Sequence, residues 1–272
     1  MSAQRKHVML EHMIDTHCHL DACDTPDAVA PGLEAIVSVG TDEASCRRTL
    51  ELAQTYENVW AVLGVHPNSA DQATPALRSA VEKLSEHPKV VGIGETGFDT
   101  HWDKVSLAVQ REVFFWHAEL AQRLNKPLVL HVRDKQAQET ASLAARDALL
   151  KANYTRGILH CFNAHERLLH AGLELGWYVS FAGNLTYKNA KNLQAAAVKV
   201  PEDRLLVETD SPYLSPEPRR GRRNVPANVR YTAAFLAALR GTDLERLEPL
   251  LDANARRVYG LQQAVKTTGY VR

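Results

Sequence analysis

Near the middle of the chain, Val90-Val91-Gly92-Ile93-Gly94-Glu95 is followed by a stretch carrying Val109, Val113, Trp116, Leu120 and Leu124, then by Leu128-Val129-Leu130-His131. The two apolar runs are short and bounded by Gly, Pro or polar residues, as strands buried on both faces are. The stretch between them recurs at intervals of three and four, which gives a helix one apolar face. Strand, helix and strand in that order imply two parallel strands joined by a right-handed crossover. Each run also ends on a side chain able to ligate a metal.

Outward from this unit the pattern repeats. Strands are predicted over 13–16, 35–39, 59–63, 90–94, 128–130, 157–159, 177–181 and 205–209. The segment from Asn228 to Arg240 reads as a helix through Val229, Thr232, Phe235, Leu236 and Leu239, with Gly241 as its stop. Pro249 predicts either a kink or two helices in the last helical region. Eight strand units in 272 residues place the chain in the α/β class as a single (β/α)8 TIM barrel, a fold whose typical size is about 250 residues. An open doubly wound sheet is the rival, but no G-x-G-x-x-G occupies a first βα turn. No internal repeat or linker divides the chain. The expected organisation is a loose N-terminal extension over 1–12 and one barrel over 13–272.

Composition narrows the function. With 45% hydrophobic and 24% charged residues the chain has the makings of an ordinary core, and its formal net charge is zero. Non-specific binding to long nucleic acid rests on a positive surface that displaces counterions, so contact with a polyanion must here be local, as in an enzyme that handles one chain end. Met1 to His12 holds no apolar signal region, and no stretch approaches the roughly 20 apolar residues that span a bilayer. The four cysteines form no C-x-x-C pair, and strand alternation turns Cys18 and Cys161 away from their histidine neighbours. Packed, reduced thiols fit a cytoplasmic protein.

Six ligand-type side chains close five of the predicted strands: His17 and His19, Glu95, His131, His160 and Asp210. A parallel barrel gathers its C-terminal strand ends into one ring, where active sites of this architecture lie. Residues two apart in extended chain point the same way, so His17 and His19 can face one ion. Glu95, at the end of a buried strand, would be costly to desolvate without a cation. Its two oxygens can bridge metals held roughly 3.5–4 Å apart. His131 and His160 can serve a second ion. Asp210 can bind one metal and accept a proton from water, and Glu208 on the same face is the expected carboxylate partner of a ligating histidine. His66 reaches the same rim as a substrate or supporting contact, Arg133 suits a phosphate, and Asp134 suits a neighbouring side chain. Any one of these residues alone reads as readily as a hydrogen-bonded structural group. Their joint placement at strand ends is what points to a metal site.

The segments Ile14-Asp15-Thr16-His17-Cys18-His19-Leu20-Asp21, Gly64-Val65-His66-Pro67, Gly92 to Asp99, Pro127 to Asp134, Gly157 to Phe162, Asn184 to Ala190 and Glu208 to Leu214 resemble the TatD family of metal-dependent deoxyribonucleases, in the amidohydrolase-like barrel group. The resemblance runs over about residues 13–262. It implies that His17, His19, Glu95 and Asp210 hold one divalent ion and that Glu95, His131 and His160 hold the other. It further implies magnesium-supported removal of nucleotides from DNA ends, with Zn2+, Mn2+ or Ni2+ as possible substitutes. A glutamate stands where related barrels often carry a carbamylated lysine, which favours phosphoester cleavage. Asp210 and Glu95 are thus the expected catalytic groups of a two-metal exonuclease.

The run Arg219-Arg220-Gly221-Arg222-Arg223-Asn224-Val225-Pro226 resembles the family's basic loop, with Val225 where an acidic residue is usual. Arg222 and Arg223, together with Lys188 and Asn189, are candidate phosphate contacts, although four arginines in five residues also describe a solvated surface. Trp102 can stack on a base or simply pack. Two other readings stand beside the nuclease: hydrolysis of another ester or amide, such as an aminoacyl ester on RNA, and a non-catalytic metal-binding scaffold.

Overall fold

A computed structural model describes residues 13–23 and 33–261. The extension expected over 1–12 lies outside the described residues.

Eight parallel strands form one sheet in sequential order: β1 Met13–Cys18, β2 Leu33–Gly40, β3 Val59–Leu63, β4 Val90–Asp99, β5 Leu128–Arg133, β6 Gly157–Leu159, β7 Tyr178–Phe181 and β8 Leu205–Val207. The order makes each strand the neighbour of the next, so the sheet curls into a nearly closed (β/α)8 barrel as expected. Helix α1 (Glu43–Thr55) follows β2, and α2 (Pro75–Ser85), α3 (Leu107–Leu124), α4 (Thr140–Ala152), α5 (Glu166–Glu174) and α6 (Lys191–Lys199) follow the next five strands. After β8 come α7 (Val229–Leu239) and α8 (Leu244–Tyr259).

The barrel closes through hydrogen bonds between the first and last strands and their loops. Asp210 N donates to His17 O at 2.9 Å and His19 N to Ser211 O at 2.7 Å. The Thr16 hydroxyl donates to Val207 O at 2.8 Å. Fully buried Asp15 accepts from Thr209 N at 2.9 Å and from the Thr209 hydroxyl at 2.5 Å. This seam sets His17 and His19 beside Asp210.

One buried cluster takes a residue from every strand: Ile14, Val37, Val62, Val91, Val129, Ile158, Tyr178 and Leu206. Most lie near the starts of their strands, and Val258 and Tyr259 from α8 join them. The end of α8 thus plugs the barrel at the face opposite the strand ends, with the Tyr259 hydroxyl donating to Thr16 O at 3.0 Å. A larger cluster fills the space between the barrel wall and the helices. Burying apolar area in these two layers is the main driving term for the fold.

Three sequence expectations are corrected. β4 continues through Glu95 to Asp99, so Glu95 sits inside the strand, not at its end. β8 stops at Val207, which leaves Asp210 in a turn three residues further on. β7 begins at Tyr178; Trp177 instead packs its ring on Gly157, where an added Cβ would approach within 2.4 Å. Of the two readings offered for Pro249, division into two helices is excluded, because a single α8 runs through it.

Candidate metal centre

Glycine positions explain how β4 presents Glu95. Gly94 and Gly97 have φ of +133° and +144°, which side chains rarely adopt. A Cβ on Gly94 would lie 2.5 Å from Val129 O, and one on Gly97 would lie 2.0 Å from His131 O. The Gly-Glu-Thr-Gly pattern therefore lets β4 press against β5 just where Glu95 and His131 must approach.

Glu95 Oε2 lies 3.1 Å from Nε2 of both His17 and His160. Its other oxygen is 3.4 Å from His66 Nε2. Asp210 Oδ1 is 3.4 Å from His19 Nε2 and 3.8 Å from His17 Nε2. The His17 and His160 rings stack with centroids 3.6 Å apart. Among the described residues four donor sets have their ligand atoms within 4.8 Å of one another: His17, His19 and Glu95; Glu95, His131 and His160; His17, His160 and Glu208; and His66, Asp99 and His131. Glu95 belongs to the first two.

Neighbouring groups orient these imidazoles. His160 Nδ1 meets Glu208 Oε1 at 2.9 Å, which leaves Nε2 facing Glu95. The same Glu208 oxygen accepts from Cys161 N at 2.9 Å. His19 Nδ1 lies 3.1 Å from Val39 O, directing Nε2 to Asp210. Asp210 itself has φ +54°, so the chain turns sharply after β8 and brings the carboxylate back over the barrel.

Charge in the cluster is strongly coupled. Burial pushes the Glu95 carboxyl up, but the His160 and His17 imidazoles outweigh it and hold the group well below the usual carboxylate range. Asp210 is lowered in the same way, burial being overcome by His19 and its neighbours. Burial alone would lower His19, yet Asp210 and Glu95 lift it to about 9. His66 goes the other way: burial and the nearby His131 push it down to about 3.

These residues fit a bound divalent cation. His17 Nε2 and Glu95 Oε2 are buried, face each other, and have no hydrogen-bond partner; Glu208 Oε2 and His17 Nδ1 are likewise unpartnered. Lone pairs left unsatisfied in a buried site are costly unless something positive accepts them. Mixed imidazole and carboxylate donors suit Zn2+, Mn2+, Ni2+ or Mg2+ according to availability.

A cavity of about 680 Å3 opens over the cluster, lined in part by His66, Trp102, Arg133, Cys161, Tyr213 and Asp210. His66 and Arg133, candidates from the sequence, both belong to this lining. Cys161 departs from the sequence reading: it adopts φ +41° just past β6, alternation ends there, and the residue lines the cavity. Asp134 holds a neighbouring side chain, accepting from the Ser142 hydroxyl. It also accepts from Ala141 N at 2.7 Å and Ser142 N at 3.3 Å, so it ties down the start of α4. Lys188 and Asn189 are exposed and lie outside the lining of this cavity. So are Arg222 and Arg223, and Arg223 donates to Ala22 O. Arg219 donates to the Tyr231 hydroxyl and Arg220 lies over the Tyr187 ring at 4.2 Å, so much of the basic loop is spent on holding itself in place. Val225 supplies no carboxylate; its neighbour Asn224 ties the loop down by donating to Thr209 O and Tyr213 O.

Sequence reasoning assigned no role to Asp99, whose Oδ2 lies 3.2 Å from His131 Nε2. A signal was present, since Asp99 follows Glu95 by four residues in one strand and shares its face. Tyr213 and Asn224 carried no comparable signal.

The family described as TatD related DNase matches residues 14–260. An uncharacterized metal-dependent hydrolase named TatD from Mycobacterium tuberculosis H37Rv is 38% identical over 264 residues, covering 92% of this chain and 98% of the relative. A protein of Salmonella typhimurium LT2 named 3'-5' ssDNA/RNA exonuclease TatD is 31% identical over 238 residues, covering 85% of this chain and 90% of its own. The crystal structure of the Escherichia coli K12 TatD homologue YjjV superposes with a TM-score of 0.83 at 24% identity, over 93% of this chain and all of that one, a likeness of fold.

Proposed function

The chain belongs to the TatD-related DNase family and is a metal-dependent hydrolase, and from that premise we propose that it cleaves phosphodiester bonds at DNA ends with two divalent ions. The observation that carries this reading is the position of Glu95, whose carboxylate joins the set of His17 and His19 to the set of His131 and His160. In the proposal His17, His19, Glu95 and Asp210 hold one ion, and Glu95, His131 and His160 hold the other. When bound, such a pair supplies positive charge that polarises the phosphodiester and acidifies water.

The protein's own groups do the rest. Glu208 holds the Nδ1 proton of His160, so that ring offers its Nε2 lone pair. Asp210, held as a carboxylate below its usual range, takes the proton of the attacking water. His66, kept neutral beside Glu95, and Arg133 on the exposed side of the cavity position the phosphate. Neutral net charge suits local binding of a chain end better than wrapping of long duplex. The named activity of the Salmonella relative supports the same substrate class.

The test is to chelate the purified protein, restore single metals, and follow end-labelled DNA from each terminus beside an aminoacyl ester of RNA. Metal-restored loss of terminal nucleotides is the expected result. Turnover of the ester with intact DNA would replace the nuclease reading.

A further inference from the structure

Among the described residues, Trp102 and Tyr213 are the only exposed Trp, Tyr or Phe side chains, 56% and 58% accessible, and both line the cavity above the metal-ligand cluster. They follow β4 and β8, which stand on opposite sides of an eight-stranded barrel. The cluster therefore lies between them.

Neither side chain dangles. Tyr213 N donates to Asp210 O at 2.9 Å, Tyr213 O accepts from Asn224 Nδ2 at 2.8 Å, and the ring meets His19 edge-on at 6.0 Å. Trp102 N donates to Asp99 Oδ1 at 3.3 Å, and the Arg133 guanidinium lies 5.6 Å from the indole centroid. Each aromatic is thus tied to a carboxylate residue of the cluster while its ring stays in solvent. Exposed apolar area adds nothing to folding, and where it lines a cavity it marks a binding surface.

We propose that Trp102 and Tyr213 are stacking posts for the bases on either side of the scissile phosphate, so that the site takes a dinucleotide step of unpaired strand. The proposal rests on the phosphodiesterase reading above. Every base has a π-face, so stacking tolerates any sequence. It requires a base released from its own partner and neighbours, which a strand end supplies. Arg133, which lines the same cavity beside Trp102, adds a positive charge for the intervening backbone.

The experiment is a cycle of substitutions on the metal-restored enzyme, pairing Trp102→Ala or Tyr213→Ala with oligonucleotides abasic at the first or second residue from either end. On intact single strands each alanine variant should raise KM by ~10-fold, with kcat changed less. Trp102→Phe and Tyr213→Phe should recover most of the loss. On the oligonucleotide lacking the matching base, alanine and wild-type enzymes should differ by less than about twofold, because the contact is already gone. Losses that add independently of the missing base would overturn the posts and leave the phosphodiesterase standing. Single-strand binding without turnover, weakened by the same alanine variants in fluorescence anisotropy, would keep the posts and overturn the phosphodiesterase. Absence of both binding and turnover overturns the two together.

Discussion

Asp99 Oδ2 lies 3.2 Å from His131 Nε2, and the same carboxylate accepts from Asn68 Nδ2 and, through its other oxygen, from His101 N and Trp102 N. One buried acid therefore joins a ligand-type imidazole to the loop that carries Trp102. Burial opposes its ionisation, but the His131 contact prevails and holds it at about 2. Asp99→Ala should weaken one of the two proposed ions by ~10- to 100-fold, the usual loss when a ligand's orienting partner is removed. Calorimetric titration of the metal-free protein reads this directly. Two unchanged affinities would free His131 from any dependence on Asp99.

Glu95 sits 3.1 Å from both His17 and His160, and no other acid in the cluster reaches both rings at that distance. Glu95→Ala should abolish metal-dependent turnover while circular dichroism still shows a folded barrel, because the side chain belongs to the polar cluster and not to the apolar layers. Substantial metal-dependent activity in this variant would remove the bridging role.

Much of this arrangement was legible before any coordinates, for a physical reason. Buried parallel strands read as near-continuous apolar runs, so a polar residue such as His160 right after Gly157-Ile158-Leu159 signals the rim. The reading failed where backbone conformation departs from alternation. Asp210 and Cys161 have left-handed φ, and period-two counting does not reach past such turns. The extent of β4 was missed because Gly94 and Gly97 look like breakers, whereas close packing on β5 requires them. Arginine side-chain partners depend on folds of the loop that composition does not encode, so Arg219 and Arg220 were indistinguishable from Arg222.

Arg222 and Arg223 are exposed, so in the proposed function their charges would act on a substrate through solvent. Such interactions fade over a Debye length of about 8 Å at physiological ionic strength. Replacing both with alanine should raise KM and flatten its dependence on salt, with kcat little altered. Kinetics unchanged across a salt series would return the loop to plain surface.

Asp252 in α8 accepts from Ile14 N at 3.0 Å, anchoring the start of β1 far from the cavity. Burial raises its carboxyl to about 7, with Glu248 and Glu34 adding to the rise and Arg256 opposing it. An unfolded Asp titrates near 3.9, so between about pH 4 and 7 the native state binds the extra proton. This group's stabilisation is complete below that window, falls as pH rises through it, and is lost above 7. Asp252→Asn keeps an oxygen for Ile14 N but removes the titration. The variant should melt with wild type near pH 4 and above it at pH 8, with the gap opening across the window. Thermal melts at fixed metal and ionic strength over that range check the prediction, and parallel curves for the two proteins would show that Asp252 ionises in the folded state as freely as in the unfolded one.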